Sequence, residues 1–134
     1  MNDHIRATLA PTGTLRAGVN LSNFLLVTGK EDNGDPQGVS PSMAAELASR
    51  LGVPVEYMSY KTPAMVADAA AEEAWDIGLI GAEPARAEFI NFTAAYTEIE
   101  STYMVRGDSS IQTIDDVDQP GVRIAVAAKA AYDL

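Results

Sequence analysis

Twice in this chain a hydroxyl residue followed by proline opens a helical stripe, and each stripe leads into a short apolar strand. At Ser40-Pro41 the serine can cap a helix, and proline suits the first helical position, where its missing N–H costs nothing. Met43, Leu47 and Leu51 follow at intervals of four, beside Ala44 and Ala48, as one apolar face. Gly52 closes that helix by accepting left-handed backbone. Residues 53–57 (VPVEY) read as the next strand. Thr62-Pro63 repeats the opening signal, and Met65, Val66, Ala69 and Ala70 form a second stripe that ends near Trp75. Residues 76–80 (DIGLI) are almost continuously apolar, as in a strand covered on both faces. An earlier strand, residues 14–19 (TLRAGV), follows Pro11 and Gly13. Strands alternating with helices in this way imply an α/β fold with a mainly parallel sheet and helices on both faces.

The other segments are less regular. The first ten residues have no period and read as a loose lead-in. Residues 20–37 form a long polar loop around the patch Phe24-Leu25-Leu26-Val27. After residues 76–80 a turn runs from Gly81 to Arg86 into a short helix at 85–89. Residues 91–105 are a long β-like run, rich in Thr and Tyr, that ends in the polar break Gly107-Asp108-Ser109-Ser110. Residues 113–118 (TIDDVD) can form one helical turn capped by Thr113. Residues 123–127 (RIAVA) read as a last strand, with a helix starting beyond it.

Composition narrows the function classes. A formal charge of −10, from 9 basic and 19 acidic side chains, argues against nucleic acid and anionic membrane as partners. The absence of Cys excludes thiolate chemistry, and with a single His, His4, the composition argues against a transition-metal site. No apolar run approaches the roughly 18 residues of a membrane-spanning helix. Met1-Asn2-Asp3-His4 does not open a secretory leader, so the chain is cytoplasmic or its leader has been removed. Dinucleotide, phosphate-loop and Gly-x-Ser-x-Gly motifs are absent. No cofactor is expected.

In an open α/β sheet, ligands sit at the carboxyl ends of the strands. Three loops meet that description: 20–24, 59–62 and 81–86. Arg86 is their one cation besides Lys61. Next to Gly81, whose backbone a ligand can approach, a guanidinium suits a bidentate grip on a carboxylate. The ordinary alternative is an exposed helix arginine paired with Glu83 or Glu88. Phe24 and Tyr60 supply either an aromatic wall or simple packing. Glu83 is a ligand-amine acceptor, a general acid, or a charge favoured near a helix start. Asp115, Asp116 and Asp118 lack the ligand spacing and glycine of a calcium loop and read as a solvated helix start. Trp75 reads as a core or edge anchor.

Three strings, TLRAGVN, GVSPSMAAELASRLGVPVEY and AWDIGLIGAEPARAEFINFTAAY, resemble the bacterial extracellular solute-binding proteins of family 3. The strongest part is the strand at 76–80, then Arg86, Asn91-Phe92-Thr93 and Tyr96. The resemblance implies a periplasmic-binding-protein type II fold, two α/β lobes joined by crossing strands, of which this chain is an incomplete portion. It divides the chain into a lead-in at 1–13, lobe one with the first hinge strand at 14–107, and the beginning of lobe two at 108–134. The implied role is the solute-binding component of an ABC importer, periplasmic once its leader is gone, with an amino acid or related small carboxylate-bearing solute held between the lobes. The permease would be its partner. By position, Arg86 clamps the solute carboxylate, and Gly81 and Glu83 lie where backbone and hydroxyl groups meet the solute. Asn20 stands where the family often has an Asp for the amine, and Asn23, Phe24 and Tyr60 lie near its aromatic contacts. Asn20 is neutral and Glu83 is charged, and both depart from the usual pattern. Two alternatives share the fold: a dehydratase-like enzyme using Glu83 as acid, and a ligand-sensing module of a larger regulator. The strand-like segments after about Thr97 also suggest a homodimer formed by segment exchange.

Overall fold

The computed structural model describes residues 3–133. Its centre is a parallel three-stranded sheet of β1 (Leu15–Asn20), β4 (Val55–Tyr60) and β5 (Ile77–Leu79) in the order β4-β1-β5. Residues 15–20 of β1 pair one for one with 55–60 of β4, and Ala17, Gly18 and Val19 pair with Ile77, Gly78 and Leu79. Helix α2 (Val39–Leu51) connects β1 to β4, and α3 (Pro63–Ala70) connects β4 to β5. The mixed α/β architecture, with a parallel sheet flanked by helices, is the fold class expected from the sequence. Leu15, Ala17, Gly18 and Val19 are all buried, because the central strand is covered on both faces.

The helix signals hold to different degrees. Thr62 caps α3 as expected: its Oγ1 accepts the Met65 N–H at 3.2 Å, with Pro63 in the first turn. Gly52 ends α2 in the left-handed region (φ 69°). Ser40, by contrast, is not the cap of α2. The helix starts two residues earlier than expected, at Val39 behind Gly38 (φ 137°), where any side chain would run into the Leu26 carbonyl. The chain is drawn in there by a small hairpin, β2 (Gly29–Lys30) against β3 (Pro36–Gln37), inside what the sequence presents as loop. The Ser40 hydroxyl meets the Tyr96 hydroxyl instead, at 2.8 Å. The buried seam of α2 is Pro41, Ala44, Ala48 and Leu51, while Met43 is exposed; small side chains let the helix lie close to the sheet.

Both ends of the chain depart from expectation. The lead-in contains helix α1 (Asp3–Leu9), and Leu9 and Ala10 join Leu15, Ala48 and Leu51 in the core at the amino ends of the strands. Residues 91–105 and 123–127 form no strand. Strand propensity expresses itself only on a pleated surface with a neighbour to pair with, and neither run has one. Met104 is 97% exposed. Thr113 does open a single 3-10 turn (Ile114–Asp116), with Asp116 accepting from both Thr113 N–H and Thr113 Oγ1. No helix forms among residues 127–133, which fold into turns. Met1, Asn2 and Leu134, which begin the lead-in and end the last segment, lie outside the described residues.

Trp75 is an anchor. Gly18 and Gly78, opposite each other in β1 and β5, leave a slot filled by its ring; a Cβ at either would come within 2.8 or 2.9 Å of it. The indole N–H donates to the Val66 carbonyl of α3 at 2.9 Å, tying helix to sheet. The next residue, Asp76, its side chain 5% exposed, accepts from Arg16 Nη2 at 2.6 Å and from the Arg16 backbone N–H at 2.8 Å. That tie sets where β5 begins along β1.

Candidate functional site

The three strands end together, since Asn20 pairs with Tyr60 and Val19 with Leu79. The chain crosses from β4 over β1 to β5, so the strand order reverses at β1, and the carboxyl ends at such a switch point are where open α/β sheets place a ligand. The loops at 20–24, 59–62 and 81–86 follow those ends. The first two are joined by the Leu21 N–H, which donates to the Tyr60 carbonyl at 2.8 Å. A shallow groove lined by Asp3, Arg6, Ala10, Pro11, Gly13 and Val53 lies at the other end of the strands, away from these loops.

Arg86 lies on the short helix α4 (Pro84–Ala87), which starts at Glu83; the Glu83 carbonyl accepts the Ala87 N–H at 2.9 Å. The Arg86 side chain folds back into the mouth and is only 3% exposed. Nη1–H donates to the Gly81 carbonyl at 2.9 Å and Nη2–H to the Lys129 carbonyl at 3.0 Å. Of the two sequence readings, the exposed arginine paired with Glu83 or Glu88 does not form: the side chain is buried, and no ion pair joins it to either. Burial pushes its pKa down while the charge of Glu83 raises it. A guanidinium stays protonated regardless. The result is a buried cation held by two neutral carbonyls, with no carboxylate among the described residues in contact. A charge taken out of water in this way calls for an anion.

The other site candidates are arranged unevenly. Gly81 is brought directly to Arg86. Glu83 is half-buried one turn away and acts on Arg86 through its charge. Tyr60 is half-buried at the end of β4, and burial raises its phenol pKa. Asn20 is at the mouth, but its Oδ1 accepts from the Ser22 N–H at 3.1 Å and from Ser22 Oγ at 2.8 Å, so it braces its own turn. Asn23 closes the same loop through its carbonyl, which accepts from Leu26 and Val27 N–H groups. Phe24 is 77% exposed, so it does not pack as an ordinary core aromatic. The contact of Lys129 with Arg86 is not legible in the sequence: the two are 43 positions apart, and residues 127–131 stand out there only by resemblance, as an alanine-rich run where the family often has a Ser/Gly/Thr turn at a helix start. Among the described residues no three His, Asp or Glu side chains gather to hold a metal. The Asp116 carboxylate is spent on the Gln112 and Thr113 groups of its own turn, which hold its pKa below the ordinary range.

A parallel sheet flanked by helices, with a cationic mouth at its switch point, defines a lobe of the α/β binding type. The chain belongs to the bacterial extracellular solute-binding proteins, family 3, whose family model matches residues 15–131. That stretch runs from the first residue of β1 past Arg86 to the turn that holds Lys129. No curated protein and no solved structure matches the chain. A solute-binding role follows from the family, which is one of binding proteins that typically work outside the cytoplasm, in extracellular or periplasmic space.

Proposed function

We propose that the chain is the N-terminal part of the solute-binding component of an ABC importer, and that Arg86 grips the carboxylate of a small polar solute, an amino acid or a relative. The observation that carries this reading is the burial of Arg86 at the strand ends, where two neutral carbonyls hold it and no carboxylate among the described residues touches it. Gly81, Glu83 and Tyr60 border the same mouth. Asn20 and Asn23 shape its rim, and Phe24 is available to meet a solute only from outside. On this reading residues 14–107 are lobe one with its connection, and 108–134 begin lobe two. A solute here would be held on one side only, so affinity rests on a few groups open to water and is weak. Binding, with no covalent step, is the function, delivered in the periplasm to a permease.

Calorimetry of the chain against L-amino acids and dicarboxylates tests this. Weak binding confined to carboxylate-bearing solutes is the expected outcome. Sub-micromolar affinity would contradict the one-sided site, and binding of a solute without a carboxylate would contradict the clamp. Exchange of the segments after Thr97 between two copies would cover Ile99, Tyr103 and Val105, which are exposed. Light scattering at micromolar concentration reads a doubled mass if that pairing occurs and a single mass if it does not.

A further inference from the structure

The second carbonyl on Arg86 comes from a segment remote in sequence, and the way that segment is held is unusual. Residues 127–133 form two successive turns, with Ala130 N–H donating to Ala127 O at 3.0 Å and Asp133 N–H to Ala130 O at 2.9 Å. Lys129, at their centre, is in left-handed backbone (φ 55°), which a residue with a side chain adopts at a cost. Three contacts hold it there. Its N–H donates to Asp133 Oδ2 at 2.8 Å, its carbonyl accepts from Arg86, and its Nζ reaches Asp68 of α3 at 3.3 Å. Ala130 is buried, although residues 123–129 leading to it are exposed. Ala131 faces Gly81 so closely that a Cβ on the glycine would touch it at 3.9 Å. The turn therefore sits in the mouth, over the backbone that borders Arg86.

We propose that this turn is an intramolecular occupant of the solute site, and that the Lys129 carbonyl and a solute carboxylate exclude each other at Arg86 Nη2. This rests on the carboxylate reading of Arg86. A carbonyl is a neutral acceptor, and a carboxylate makes the stronger, charge-assisted bond, so the turn yields to a ligand that offers one. Apparent affinity is then the intrinsic affinity reduced by the fraction of molecules with an open mouth. The turn thereby sets a threshold: solutes without a carboxylate do not displace it.

Two measurements test the proposal. Hydrogen exchange of residues 127–133, without ligand, is expected to be slow in the parent chain and to accelerate in Arg86→Ala. Exchange that is already as fast as in an unstructured peptide, or that is unchanged by Arg86→Ala, overturns the docked turn. The second measurement titrates acetate and follows the Gly81 amide signal. Lys129→Pro, whose ring forbids φ 55° and removes the N–H bonded to Asp133, is expected to bind acetate about tenfold more tightly than the parent. Lys129→Gly keeps the carbonyl and relieves the backbone cost, and is expected to bind acetate more weakly. Equal acetate affinity in all three chains, with loss in Arg86→Ala, overturns the occupant and leaves the Arg86 reading standing. Absence of acetate binding in every chain, Lys129→Pro included, overturns the Arg86 reading and the competition with it.

Discussion

Arg86 shows how one side chain can be legible by type and illegible by environment. Its identity and its place after the third strand suggested a carboxylate clamp, but sequence alone could not separate that from a surface arginine. The difference is made by the fold-back onto Gly81 and Lys129, which depends on a contact across 43 positions. We expect Arg86→Ala to weaken solute binding by about 2–5 kcal/mol, mostly through the carboxylate left unpaired. Arg86→Lys should not restore it, because an ammonium has no planar fork. Calorimetry on the variants checks both, and a loss of less than twofold in Arg86→Ala would refute the assignment. Gly18 and Gly78 are special in another way, since neither has a positive φ and each is small only because Trp75 lies on it. Gly18→Ala should cost about 1–3 kcal/mol by overpacking, read as a lower urea midpoint. Trp75, the chain's one tryptophan, should report the same transition by its fluorescence.

Among the elements, local signals succeeded where the competing forces are themselves local. Thr62 caps α3 because its hydroxyl and the Met65 N–H are three residues apart whatever the rest of the chain does. Thr62→Ala should therefore cost about 1 kcal/mol in thermal or chemical unfolding. Ser40 carries the same signal, but the β2–β3 hairpin fixes the entry to α2 at Gly38 and turns the serine toward Tyr96. The β-like runs at 91–105 and 123–127 failed for a related reason: a strand needs a partner, and partners are a property of the whole chain. The 113–116 turn supplies a pH dependence. Its Asp116 carboxylate, held below the ordinary range by Gln112 and Thr113 N–H groups and the Thr113 hydroxyl, favours the turn while ionised. That contribution is present above the usual carboxylate pKa and is lost as pH falls through the depressed one. Amide signals of Gln112 and Thr113 should hold steady at neutral pH and move together in the acid range, and Asp116→Asn should abolish the movement.

For the molecule as a whole, the alternation of strand and helix was readable, because burial on both faces leaves continuous apolar strands between helix caps. Helix α1 was not readable: Leu9 and Ala10 gain their apolar role only once β1 and α2 have built the core beneath them. The carboxyl-end mouth follows from the β4-β1-β5 order, which sequence spacing implies but does not state. The most direct test of a carboxylate-clamping mouth is a matched titration. Calorimetry would compare the parent chain and Arg86→Ala against an L-amino acid that binds and against the amine left when its carboxylate is removed. Binding of the amino acid alone, by the parent alone, is the expected result. An amine that binds as well as the amino acid, or an Arg86→Ala chain that binds both as the parent does, would contradict it.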